Sequence, residues 1–242
     1  MLFLQYESLD KILTKGIREI ILYNEPNSKQ GLNWYYQDLH IHSNSIECTI
    51  DIGNYFYTMN KWKQLLKYYV DNEKLLEFIE NLKHSKNYSQ TFYFNQKSRT
   101  VGSGNGSCLI ALVVSRLKRT QKFNKVTLLY RTGVVTKQLV CDLVLLNRIA
   151  FVLNQNGCEI QEAGLYFPIA ALNVFHTALY YENFKFNVFK YRGNEFCDKA
   201  LVWIEEYFPG NKVTKYKSFD RLVRYKNEGR QVSIPIQTLN IF

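Results

Sequence analysis

No apolar run in this 242-residue chain reaches the roughly 18 residues that a membrane span needs. The first residues, Met1 to Glu7, hold a brief apolar stretch with no basic leader and no small-residue cleavage site, so no signal peptide is expected. Cysteine is sparse and odd in number. Cys48, Cys108, Cys141, Cys158 and Cys197 are widely scattered, which fits neither a disulfide framework nor a zinc ligand set and favours a reducing, cytoplasmic setting. The histidines His40, His42, His84 and His176 show no metal spacing with Cys or Asp. His40 and His42 share a face if they lie in a strand, but no third ligand joins them, and no metal site is assigned. No Ser-His-Asp arrangement, internal repeat or low-complexity segment is evident. Acidic residues are outnumbered, 21 to 31, for a net charge of +10. Basic residues are densest at Arg116–Lys122 and from Lys212 to Arg230. That balance favours a polyanionic partner, nucleic acid or a nucleotide phosphate; the plain alternative is a solvated basic surface.

The hydrophobic content of 46% and aromatic content of 15% exclude a disordered chain and suffice for a sizeable core. Leu9, Ile12, Leu13, Ile17 and Ile20 recur at helical spacing, which predicts a helix over 6–22 weakened by Gly16. Strand character follows near His40–His42 and Glu47–Ile50. Residues 61–84 read as helix, broken near Asp71–Asn72, with Leu75, Leu76, Phe78, Ile79 and Leu82 on one face. Short strands are expected at Thr91–Phe94, Cys108–Val114 and Lys125–Tyr130, the last two as an antiparallel pair. An apolar helix over 136–154, a strand over 158–169 and helices near 170–182 and 194–207 complete the reading. Strand and helix mix without regular alternation, which argues for an α+β fold.

Four features bear on chemistry. Gly102-Ser103-Gly104-Asn105-Gly106-Ser107 resembles a phosphate-cradling loop in composition. It lacks the closing Gly-Lys-Ser/Thr, and a strand follows where a helix N-terminus should, so a flexible connector is the simpler reading. Cys108 stands next, at the head of an apolar strand. Buried cysteines are usually structural, whereas a nucleophile needs a neighbouring cation to favour its thiolate. Arg131, at the end of the partner strand, is such a cation, and a guanidinium in that turn also suits phosphate. Asp142 begins the most apolar helix. It is either a carboxylate favoured by the helix dipole or a polar group facing a site.

In combination these pieces resemble thymidylate synthase and its relatives, the pyrimidine-nucleotide hydroxymethylases. The family opens with Y-x-x-L-x-x-I-L-x-x-G; here Tyr6 to Gly16 reads Y-E-S-L-D-K-I-L-T-K-G. The family then carries a helix, a strand, a loop and the nucleophile of P-C-H at a strand head. Leu75–Leu82, Thr91–Phe94, the glycine loop and Ser107-Cys108-Leu109 follow that order. Later come Q-R-S and an Asn at the start of a long apolar helix; here Tyr130-Arg131-Thr132 and Asp142 stand in those places. The order agrees over 75–154 and more loosely from 6 to about 180. The departures are definite. No arginine occurs at Tyr88-Ser89-Gln90, where the family lends a pair across its dimer. Leu109 replaces the His after the nucleophile, and Tyr130 replaces Gln. Gly164–Asn173 lacks G-G-D-x-H-x-Y, which holds the free 3′-hydroxyl of the sugar. The D-R-T-G-T-G phosphate loop is absent, the folate-side segment is shortened, and nothing beyond about residue 190 matches.

The resemblance implies a thymidylate-synthase-like mixed sheet packed with helices over 1–190, with 191–242 as a C-terminal extension packed on it, and a homodimer with sheets back to back. It implies that Cys108 adds to C6 of a pyrimidine, that Arg131 binds phosphate, and that Tyr130, Thr132, Asp142 and Asn105 line the substrate site. Folate remains possible, although its binding motif is missing. A nucleotide within DNA has no free 3′-hydroxyl, so the lost clamp and the positive charge point to DNA, as in viruses with hypermodified pyrimidines, with the host cytoplasm as the setting. The reaction expected is C5 modification of a (hydroxymethyl)pyrimidine. Two alternatives are a folate-dependent dUMP or dCMP methylase or hydroxymethylase, and a non-catalytic nucleic-acid-binding protein of the same fold.

Overall fold

The structure is a computed structural model, and it describes residues 1–16, 19–20, 24, 26–30, 33–55, 57–95, 108–131, 133–173 and 233–242. Eight strands form one mixed sheet: β1 (Leu2–Tyr6), β2 (Ser28–Gln30), β3 (Asn33–Ser43), β4 (Ser89–Tyr93), β5 (Leu109–Ser115), β6 (Lys125–Tyr130), β7 (Gly133–Val134) and β8 (Glu162–Asn173). Their spatial order is β1-β3-β8-β6-β5-β4, with β2 on β3 and β7 on β8. β1–β3, β6–β8 and β7–β8 are parallel; the other neighbours are antiparallel. The helices are α1 (Leu9–Lys11, continued by a wide turn over Ile12–Gly16), α2 (Met59–Tyr69), α3 (Asn72–His84) and α4 (Val135–Gln155). The architecture is α+β.

Register explains which face is buried. Phe92, Leu112, Leu128, Leu165, Ile41 and Leu4 pair in one row across six strands. All but the half-buried Leu4 lie within the core. One residue along, the row is Thr91, Val113, Thr127, Gly164, His42 and Gln5, and none of its side chains is buried apart from the Gly164 position. Period-two alternation therefore leaves one face to the helices and the other open among the described residues. The central connection is α4, which carries the chain from β6 and β7 back to β8. Leu139 to Leu146 are all buried, so this stretch of the helix is enclosed on every side.

Local chemistry sets the helix ends. Thr58 accepts the Lys61 backbone N–H at 3.2 Å and Asp71 accepts that of Lys74 at 3.3 Å, which starts α2 and α3. The break between them falls at Asp71, where the sequence places it. The predicted helix over 6–22 begins later than expected. Residues 2–6 pair with β3, a partner more than thirty residues away that no local pattern announces. Gly16 packs closely on Tyr6: a Cβ there would lie 3.0 Å from the Tyr6 ring, which would have to shift by a few tenths of an ångström. Glu47–Ile50 is not strand, although Thr49 is held by Asp10 through three hydrogen bonds. Residues 170–173 are strand where a helix was expected, because β7 extends the sheet and pairs with Ala170 and Ala171. The rest of that helix, and the one near 194–207, lie outside the described residues.

The last ten residues pack back onto the body. Asp51 accepts hydrogen bonds from the backbone N–H of Gly53 and Ile234, both at 2.8 Å, and from the Ser233 hydroxyl. The Trp62 indole donates to Asn240 O at 3.3 Å, and Ile234, Ile236, Leu239 and Ile241 are buried. Residues 191–232 of the expected extension lie outside the described residues. Among the described residues no helix is long and apolar enough to cross a membrane.

Candidate functional site

Four cysteines are described, and none of them forms a disulfide. Cys48, Cys141 and Cys158 are buried, and burial pushes each thiol up, Cys48 to about 12. A thiol so perturbed is a poor nucleophile at neutral pH. Cys108 differs in being half-exposed.

The sheet brings Cys108 and Arg131 together. Leu109 pairs with Tyr130, and one step further the Arg131 backbone N–H donates to Cys108 O at 2.9 Å. Arg131 itself is exposed. The register slips between Leu109 and Ala111, a bulge that bends the start of β5 away from the regular ladder. Ile110 O, within the bulge, instead accepts the Phe94 N–H at 3.0 Å.

Behind this pair lies a buried polar couple. The Tyr130 ring stacks on Phe167 with centroids 4.0 Å apart, and its hydroxyl donates to Asp142 Oδ2 at 3.2 Å. Both residues are almost fully buried, at 2% and 3% exposure. Burial pushes the Asp142 carboxyl up to about 7, against the opposing effect of the Tyr130 hydrogen bond. The Tyr130 phenol is held well above its usual range, first by burial, then by the Asp142 charge, with a smaller contribution from Cys108. Among the described residues Asp142 Oδ1 is buried with no hydrogen-bond partner. An unsatisfied buried group of this kind costs about 1–3 kcal/mol, so it is an uncommon feature of a folded chain.

No family model matches the chain, and no curated protein matches its sequence significantly. The site therefore rests on its own geometry. Of the residues singled out from sequence, Cys108 and Arg131 meet at one sheet end, and Tyr130 and Asp142 bond to each other just inside it. Asp142 does not begin its helix as expected: it lies two turns into α4, beyond the reach of the helix-start dipole. Asn105, Thr132 and the glycine-rich segment 102–107 lie outside the described residues.

Sequence reasoning missed Tyr57 and Lys61. The Lys61 ammonium lies 4.9 Å from the Tyr57 ring centre, and both act on Cys141, the neighbour of Asp142. Nothing in their spacing signals this, because α2 reaches α4 only through the tertiary fold. His40 and His42 share the open face of the sheet: His40 packs on Tyr166 with centroids 4.3 Å apart, and His42 lies 3.6 Å from Glu162. Among the described residues no group of three or more His, Cys, Asp or Glu side chains is placed to hold a metal ion.

Proposed function

We propose that this chain is a thymidylate-synthase-like transferase that modifies pyrimidines at C5, with Cys108 as nucleophile and DNA as substrate. The observation that carries the reading is the Arg131–Cys108 ladder bond, which sets a guanidinium-bearing residue beside the one described thiol that is not buried. A nearby cation favours thiolate. The thiolate would add to C6 of the base, forming the S–C6 bond and moving the ring electrons toward C5. C5 then takes up an electrophile, or a leaving group departs from a C5 methylene and a second nucleophile adds there. In the first case the C5 proton leaves to a base, and in both cases expulsion of the thiolate from C6 restores the ring double bond. Splitting the substitution in this way lowers each barrier.

Asp142 would read the base. Its Oδ1 has no hydrogen-bond partner among the described residues, and a base edge would satisfy it. Once ionised, the carboxylate accepts from the N4 amine of cytosine; while it keeps its proton, as burial favours up to about pH 7, it can donate to the O4 of uracil. Cytosine is therefore open as the base above that range, and Asp142→Asn, which offers a donor at every pH, should make the choice of base independent of pH.

The open sheet face supports a homodimer. The row Tyr93, Ala111, Leu129, Tyr166, His40 and Phe3 crosses that face, and Tyr93 and Phe3 are exposed. Sheets stacking face to face would bury it. Val113→Lys, in the neighbouring row, should then give a monomer by sedimentation.

The reaction is tested by release of tritium from 5-tritiated cytosine, as an oligonucleotide and as a free nucleotide. Addition at C6 lets C5 exchange its hydrogen with water. Thiol-dependent release that is lost in Cys108→Ala supports the reading; release that survives this substitution refutes it.

A further inference from the structure

The far end of the sheet, away from Cys108, is built differently. There the β5–β6 turn, Arg116 to Asn124, meets the segment between α3 and β4, Ser85 to Tyr88. Arg116 fastens the two together. Its guanidinium donates to Asn87 O at 2.9 Å, Gln121 O at 2.9 Å and Ser85 O at 2.6 Å, and lies 4.3 Å from the centre of the Phe123 ring. Its backbone N–H donates to Tyr88 O at 2.9 Å. With each of its three guanidinium nitrogens donating to a backbone carbonyl, Arg116 serves as a brace.

The brace projects other cations outward. Lys86, Lys118 and Arg119 are exposed, and the Arg119 guanidinium lies 5.0 Å from the centre of the exposed Tyr88 ring. Among the described residues these three enter no ion pair, whereas the acids nearby are already matched: Glu80 with Lys83 and His84, Glu159 with Lys122. The surface is thus net positive on a fixed scaffold, with an aromatic ring beside a guanidinium. Such a combination fits a phosphate backbone carrying bases that can stack.

We propose that this end binds the backbone of a polynucleotide. The seven residues of β5 separate it from Cys108 by about 20 Å at the usual rise of a strand. A free nucleotide is too short to touch both places, so the surface is useful only to a polymer. The link to Cys108 rests on the proposed function; the binding does not.

The test is fluorescence anisotropy of a labelled single-stranded DNA 20-mer, and of its duplex, across a potassium chloride series. The full chain is compared with the triple variant Lys86→Ala, Lys118→Ala, Arg119→Ala, which leaves Arg116 intact and whose fold is checked by its melting curve. Losing three phosphate contacts should lower the slope of log affinity against log salt by about 2 on the single strand and about 3 on the duplex, and weaken binding at low salt at least about tenfold. Unchanged slope and affinity on both DNAs would overturn the inference. So would equal loss of binding to a poly-glutamate chain or to anionic lipid vesicles, which would mark a general anion surface. Tritium release from a free nucleotide should be the same in both proteins. If that release is independent of Cys108 while the salt slope still falls, the catalytic reading fails and this one stands.

Discussion

Replacing Asp142 by Asn should flatten the pH dependence of folding between pH 4 and 7. The buried carboxyl titrates near 7 in the folded chain, against 3.8 for an ordinary aspartate. Between those values the folded chain holds a proton that the unfolded chain has already released. Stability from this group is therefore complete below pH 3.8 and is lost as pH rises through 7. Each pH unit in the window corresponds to about 1.4 kcal/mol, so the whole crossing amounts to about 4 kcal/mol and the step from pH 5 to 7 to about 2–3 kcal/mol. Asparagine has no proton to lose, and all other groups titrate alike in the two proteins. Urea unfolding at pH 5, 6 and 7 reads the difference directly. Wild type should lose stability relative to Asp142→Asn as pH rises. Parallel pH profiles would refute the claim that this carboxyl is buried and nearly unpartnered.

Tyr130→Phe removes the hydroxyl that holds the Asp142 value down, so it should move that window to higher pH and cost about 1–3 kcal/mol, seen in the same urea series. Asp51→Ala strands the Gly53 and Ile234 amides. It should cost about 1–3 kcal/mol and speed hydrogen exchange at Ile234 before the sheet is affected. Leu128→Ala opens a cavity in the middle of the buried row and should cost about 2–5 kcal/mol by the same unfolding assay.

Much of the sheet was legible because its central strands carry their own signal. Lys125–Tyr130 is strand over its predicted range, and Leu109–Ser115 pairs with it antiparallel as its turn chemistry indicates. The apolar helix and the Asp71 break were legible for similar reasons: burial on all sides leaves an unbroken apolar run, and a capping carboxylate marks a helix start. β1 was not legible, since its pairing with β3 is non-local and its five residues are too few to outweigh the helical spacing that follows. At the site, the proximity of Cys108 and Arg131 followed from the hairpin alone. The Tyr130–Asp142 bond did not, because it depends on how α4 lies under the sheet. The role of Arg116 was also hidden: within a run of basic residues it reads as surface charge, yet its guanidinium is spent on three backbone carbonyls.

In the proposed reaction the Cys108 thiol forms a covalent bond to C6 of a pyrimidine. A DNA oligonucleotide containing 5-fluoropyrimidine, incubated with the protein and followed by peptide mass spectrometry, tests it most directly. An adduct is expected on the peptide that carries Cys108 and none in Cys108→Ala. Absence of any adduct, or the same adduct in Cys108→Ala, would contradict it.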